Sequence, residues 1–222
     1  MKAPIDIAAL EQATQLALDA GYRLFQTHRV SADDRYQVSY LRAALNPPRG
    51  ALVLDAGCGI GEVARLMHEQ RPDLRFILAN VSPMQLAECP TGPAFQGLNA
   101  DCHDLPLPDE HVDAVLFASA LTQMDAKFVL HEAARVTKPG GIVLLSEMVR
   151  TDGDGAEFEA VTTARVHTFD ELAGYAAAAG LRLDFGFMYE ADDSHFRAML
   201  RDLGRESLIE PIRPVIMRFI KE

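Results

Sequence analysis

The stretch Ala51-Leu52-Val53-Leu54-Asp55-Ala56-Gly57-Cys58-Gly59-Ile60-Gly61-Glu62 reads as a buried strand that passes through a glycine-dense turn into a helix. Leu52, Val53 and Leu54 form an apolar run with a β-branched centre, as a parallel strand buried on both faces requires. Gly57, Gly59 and Gly61 carry no Cβ, so the backbone there can approach a ligand that a larger residue would push away. Glu62-Val63-Ala64-Arg65-Leu66-Met67 then continues in helix formers. A dinucleotide fingerprint needs glycines at the first, third and sixth positions. Counted from Gly57, the sixth is Glu62, whose carboxylate would stand where a pyrophosphate should lie. A P-loop is excluded because no Gly-Lys-Ser or Gly-Lys-Thr follows. A tight strand-to-helix turn with no ligand stays open on these residues alone, and the downstream segments bear on it.

Those segments fall in a regular order. Arg75-Phe76-Ile77-Leu78-Ala79-Asn80 reads as a second strand, and after Val81 a helix starts with Ser82 as its cap and Pro83 at its first position. Phe95-Gln96-Gly97-Leu98 leads into Asn99-Ala100-Asp101-Cys102-His103-Asp104-Leu105-Pro106. Val112-Asp113-Ala114-Val115-Leu116-Phe117 reads as a fourth strand ending in the small residues Ala118-Ser119-Ala120. Phe128 to Val136 carries apolar residues at helical spacing, and Lys138-Pro139-Gly140-Gly141 closes that helix before a fifth strand, Ile142-Val143-Leu144-Leu145-Ser146.

An acidic residue at the first strand's end followed by Gly-x-Gly-x-Gly resembles the first motif of class I S-adenosylmethionine-dependent methyltransferases, and helix, Lys-Pro-Gly-Gly, strand resembles a second signature of that family. The resemblance is close over residues 34–150 and rests on topology beyond them. It implies an α/β fold: a doubly wound, seven-stranded, mostly parallel sheet in the order 3-2-1-4-5-7-6, with an antiparallel C-terminal hairpin and an N-terminal helical lid. It implies S-adenosylmethionine as cofactor, whose sulfonium and ammonium groups tolerate nearby carboxylates. Carried over residue by residue, it puts Asp55, Gly57, Cys58 and Gly59 at the cofactor elbow and Asn80, followed by Val81, at the ribose hydroxyls, where the family more often has Asp or Glu. It gives Asp101 and Cys102 to the adenine, Ala118 to the space for the methionine part, and Gln37 to the cofactor carboxylate.

A chain of 222 residues with 49% hydrophobic residues fills one doubly wound core, so a single domain is expected: residues 1–48 as lid, 49–150 as cofactor-binding half and 151–222 as substrate-side half. The formal net charge of -11, with no Lys/Arg block and no tryptophan, argues for a small-molecule partner and against nucleic acid. Asn46-Pro47-Pro48-Arg49 reads as a linker turn. Neither a signal peptide nor a membrane-spanning run is recognised, and no membrane partner is expected. Cys58, Cys89 and Cys102 lie in no metal spacing and suit a reducing cytoplasm, and no metal site is expected.

Residues 6–27 repeat apolar positions near 3.6 (Ile7, Leu10, Ala13, Leu16, Ala17, Ala20, Leu24) and read as one long lid helix. Tyr22, Tyr36 and Tyr40 are polar-aromatic additions to that region and candidates for acceptor binding, as is Gln123 in Thr122-Gln123-Met124, where many members of the family have a histidine. Tyr36 and Tyr40 could also stabilise a cationic intermediate. His28, His167 and Glu147 are the candidate bases. Further along, Thr168 with Glu171 makes a capping box at a helix start that Gly180 ends, with a strand at 181–189, a helix at 194–203 and a final strand at 215–220. The expected function is methyl transfer to O, N or C of a metabolite, plausibly in specialised metabolism, by in-line displacement, in a monomer or homodimer. The alternatives are a cyclase or regulatory protein that keeps the cofactor intact, and then a dehydrogenase.

Overall fold

Among the described residues seven strands form one sheet: β1 (Leu52–Ala56), β2 (Arg75–Asn80), β3 (Phe95–Asn99), β4 (Val112–Ala118), β5 (Thr137–Arg150), β6 (Leu181–Met188) and β7 (Ile212–Lys221). The computed structural model describes residues 6–24, 29–151, 155–162, 164–190, 201–202, 204 and 206–222. The sheet order is β3-β2-β1-β4-β5-β7-β6, with β1 to β5 paired in parallel and β7 antiparallel to both neighbours. This is the order the resemblance implied.

Helices cover both faces: α1 (Ile7–Asp19), α2 (Asp34–Leu45), α3 (Glu62–Gln70), α4 (Pro83–Ala87), α5 (Ala126–Val136), α6 (Ala156–Thr162) and α7 (Phe169–Ala178). Successive strand residues point to opposite faces, so the apolar runs feed two cores. Leu54, Ile77, Val115, Phe117, Val143 and Leu145 pack against α5 and α7, while Val53, Phe76, Leu116 and Leu144 pack against α2 and α3. The sheet reverses its winding between β1 and β4, which opens a crevice at the carboxyl ends of those strands.

The expected helix over 6–27 is shorter. It stops at Asp19, and Gly21 at φ +83° turns the chain away, so that α2 forms separately behind its own cap, Asp33. β5 runs past the expected Ser146 to Arg150, because β7 pairs with it along that whole stretch. Lys138 to Gly141 lie within β5 at a register shift, where Thr137 pairs Val112 and Ile142 pairs Ala114. Between β5 and Thr168 the chain forms α6. The helix expected at 194–203 falls almost wholly outside the described residues. The capping box is present: Glu171 N–H donates to Thr168 Oγ1 at 3.1 Å and Thr168 N–H to Glu171 Oε2 at 2.7 Å.

Candidate functional site

β1 delivers the chain to a turn in which Gly57, Gly59 and Gly61 all have positive φ (74°, 57° and 72°). The Gly57 and Cys58 amides both donate to Ala79 O, at 2.9 and 3.1 Å, tying the elbow to the end of β2, and Gly61 N–H closes the turn onto Cys58 O at 2.9 Å. A Cβ on Gly57 would lie 2.6 Å from Ala120 Cβ and 2.9 Å from Met124 Cε. The loop after β4 is thus pressed against the elbow backbone.

Asp55 precedes this turn, 2% exposed, and among the described residues its Oδ2 has no hydrogen-bond partner. Burial pushes its pKa up to about 7. A buried carboxylate with a free oxygen, beside a backbone stripped of Cβ atoms, fits a cationic nucleoside. Glu62, at the mouth of α3, does not offer its charge to that space. It is held by Arg65 at 2.6 Å and lies 3.6 Å from Arg23 Nε. Burial alone would raise its pKa, but Arg65 and Arg23 outweigh that and hold it low.

Asp55 and Glu147, each raised to about 7 by burial, set a pH dependence. Unfolded carboxyls titrate near about 4, so between about pH 4 and about pH 7 the native state keeps protons that the unfolded chain has lost. Stability therefore falls as pH rises through that window and levels off above it. Asp55→Asn should match the wild type near pH 4 and exceed it by roughly 4 kcal/mol at pH 8, as read from denaturant midpoints. A wild-type profile flat across the window would overturn this.

At the end of β2, Asn80 is 5% exposed and already engaged. Its Nδ2 donates to Gly59 O at 3.1 Å and Gln85 Oε1 at 2.7 Å, and its Oδ1 accepts from Ser82 N–H at 3.2 Å. It locks the elbow to the start of α4, which leaves only remaining lone-pair capacity on Oδ1 for a ligand. Val81 O accepts from Asn99 Nδ2 at 3.1 Å. α1 joins the same corner, with Ser82 Oγ donating to Glu11 Oε1 at 2.7 Å and Gln85 Nε2 to Thr14 Oγ1 at 2.6 Å. After β3, the Asp101 side chain is 59% exposed, and its Oδ1 accepts from His103 N–H at 2.9 Å and pairs with the His103 ring at 2.5 Å. Cys102 is buried, and burial pushes its pKa up to about 12.

Ala118 closes β4, and Ser119 takes φ +61°. Glu147 lies beneath the turn that follows, 1% exposed, its Oε1 accepting from Ala120 and Leu121 N–H at 2.8 Å each and its Oε2 without a partner among the described residues. Gln123 ends that 3₁₀ turn, half-buried. Gln37 is fully buried and accepts from Val30 N–H at 2.9 Å. Tyr22 and Tyr36 are exposed, whereas Tyr40 is half-buried with its ring edge-on to Tyr189 at 5.9 Å. Burial, then the neighbouring Tyr40, raises the Tyr189 pKa.

The elbow residues, Asn80, Val81, Asp101, Cys102 and Ala118 thus gather at the ends of β1 to β4. His167 belongs to another neighbourhood: it bridges Val149, stacks edge-on to Tyr175 at 5.5 Å, and has its Nδ1 3.8 Å from Glu171. Burial lowers its pKa. His28 lies outside the described residues. Sequence reading missed His103 as a partner of Asp101, although a donor two residues after an aspartate is a signal for such a turn. It also missed Tyr189, which no local pattern connects to Tyr40.

The frame is that of a doubly wound, nucleoside-binding α/β protein. Residues 54–145, from within β1 to within β5, match the family described as a methyltransferase domain. The ubiquinone/menaquinone biosynthesis C-methyltransferase of Desulfotalea psychrophila is 32% identical over 129 residues, which are 56% of this chain and 52% of that protein. The tRNA (carboxymethyluridine(34)-5-O)-methyltransferase of Arabidopsis thaliana is 34% identical over 103 residues, 45% of this chain and 24% of that protein. The chain thus covers about half the length of the first and about a quarter of the second. The solved 4+2 cyclase SpnF shares the fold, with a TM-score of 0.80 at 18% identity over 100% of this chain and 97% of its own. Residues 54–145 thus form a methyltransferase domain, and its cofactor is S-adenosylmethionine.

Proposed function

We propose that the protein transfers the cofactor's methyl group to O, N or C of a small-molecule metabolite. The observation that carries the reading is the orphan carboxylate oxygen of Asp55 beside a glycine elbow in the matched segment. When bound, the cofactor supplies a methyl carbon made electrophilic by sulfur, open to in-line displacement. The chain's task is alignment, which can supply about 7–11 kcal/mol of the barrier. In this reading the elbow fixes the backbone against the nucleoside, Asp55 faces its positive charge, Asn80 offers Oδ1 toward the ribose, and Asp101 faces the adenine amine. The elbow and the pinned loop after β4 bound the reacting end. Tyr22, Tyr36, Tyr40 and Gln123 are assigned to the acceptor.

The small-molecule choice is supported by the net charge of -11, which repels a polyanion. RNA acceptors, named for two relatives, are the competing class. A cyclase or regulatory role is favoured by one feature: Glu147 is capped by backbone amides and 1% exposed, so it does not stand open as a base. We assign the protein to the cytoplasm and to specialised metabolism, as a monomer or homodimer, a reading supported by three free thiols, Cys58, Cys89 and Cys102. Light scattering decides the assembly state. Among the described residues no helix is long and apolar enough to cross a membrane.

Incubation with methyl-labelled cofactor and a metabolite extract, beside a parallel reaction with total RNA, tests the activity. Label in a small organic product is expected. Label confined to RNA, or cofactor recovered unchanged while a substrate is consumed, would overturn the proposal in favour of the RNA or cyclase reading.

A further inference from the structure

We propose that His103 is a positioning residue that holds the Asp101 carboxylate ready for an adenine amine and fastens the adenine loop to the loop after β4. The inference rests on the reading of residues 101 and 102 as the adenine loop.

The geometry carries it in three steps. Asp125 N–H, at the start of α5, lies 3.0 Å from His103 Nε2. A backbone N–H can only donate, so Nε2 must present its lone pair and the ring proton must lie on Nδ1. Nδ1–H then donates to Asp101 Oδ1 at 2.5 Å, the same oxygen that accepts from His103's own N–H at 2.9 Å. Two donors on one carboxylate oxygen fix the rotation of a side chain that is otherwise 59% exposed. Among the described residues Oδ2 is left without a partner, free to accept from an exocyclic amine. Burial alone would raise the Asp101 pKa; His103 outweighs it and keeps the group ionised, as an acceptor must be.

The far end of the ring matters equally. Asp125 follows Met124, whose Cε lies 2.9 Å from where a Gly57 Cβ would stand, and Ala120, in the same loop, is held by Glu147 at 2.8 Å. One imidazole therefore joins the adenine wall to the loop that presses on the elbow.

The test is calorimetric binding of S-adenosylhomocysteine and of its deaminated hypoxanthine analogue to the full chain. The analogue puts a carbonyl where the amine was and a proton on N1; the N1 change is common to wild type and variants, so the change in the affinity ratio between them reads the Asp101 contact. The wild type should prefer the adenine compound, and His103→Ala should lower that preference about tenfold. His103→Asn places an amide donor near the Nδ1 position and should keep the preference within about twofold of the wild type. His103→Gln reaches the Asp125 amide but not Asp101 and should behave like His103→Ala. An unchanged preference in His103→Ala or His103→Gln, or a wild type that binds both compounds equally, would overturn the proposal. A wild type that binds neither would instead overturn the cofactor reading beneath it. A loss of packing alone would weaken both compounds together and leave their ratio unmoved.

Discussion

Gly57→Ala is expected to weaken S-adenosylhomocysteine binding by about 100-fold or more, the largest loss foreseen for any single methyl group in this chain. Gly57 has φ +74°, a conformation that costs an L side chain about 1–2 kcal/mol. The added Cβ would also meet Ala120 Cβ at 2.6 Å, well inside contact distance. Met124 Cε, at 2.9 Å, is the tip of a flexible side chain and can yield. Ala120 cannot, because its own amide is bonded to the buried Glu147. The strain therefore passes into the elbow, where the Gly57 and Cys58 amides must let go of Ala79 O for the backbone to shift. Calorimetry on purified variant, with far-UV circular dichroism to confirm folding, reads the effect. Binding within threefold of wild type would show that the nucleoside does not lie against this turn.

The second large effect concerns stability rather than binding. Glu147→Ala should lower stability by about 3–5 kcal/mol, since two backbone N–H groups lose their acceptor and a buried space opens. For a chain of this size that corresponds to a melting temperature lower by roughly 10 °C. Glu147→Gln retains a carbonyl oxygen for Ala120 and Leu121 and should recover most of the loss. The same pair of variants separates the two roles open to this carboxylate. A proton acceptor in the reaction would make Glu147→Gln stable but inactive, whereas a cap leaves it stable and active. We expect the second outcome, because Oε1 is taken and the group is 1% exposed.

Much of the frame was legible because local signals agreed. Three glycines after an apolar run fixed the elbow, Ser82 with Pro83 and Thr168 with Glu171 fixed two helix starts, and continuous apolar runs marked the strands buried on both faces. The long helix over 6–27 failed because periodicity outlasts the helix itself; a single glycine, Gly21, was enough to stop it. The end of β5 was underestimated because Glu147 and Arg150 look like strand terminators, while the pairing that sustains them comes from β7, more than sixty residues later. The site was legible at strand ends, where position follows from topology, and illegible where a partner comes from another element. Tyr189 against Tyr40 and Asp125 against His103 are such cases, since neither distance in sequence nor residue type announces them.

The insertion of β7 between β5 and β6 has a consequence for how the polypeptide is made. Strand β6 leaves the ribosome before the only neighbour it has in the sheet, and the long apolar edge of β5 waits just as long. Until the last strand emerges, a nascent chain displays two unsatisfied ladder edges, each able to recruit a stray strand from a neighbouring chain. Slowed translation through the codons of β7 should therefore lower the yield of monodisperse protein more than an equal pause upstream of β5, a difference that a reporter of nascent-chain aggregation can measure.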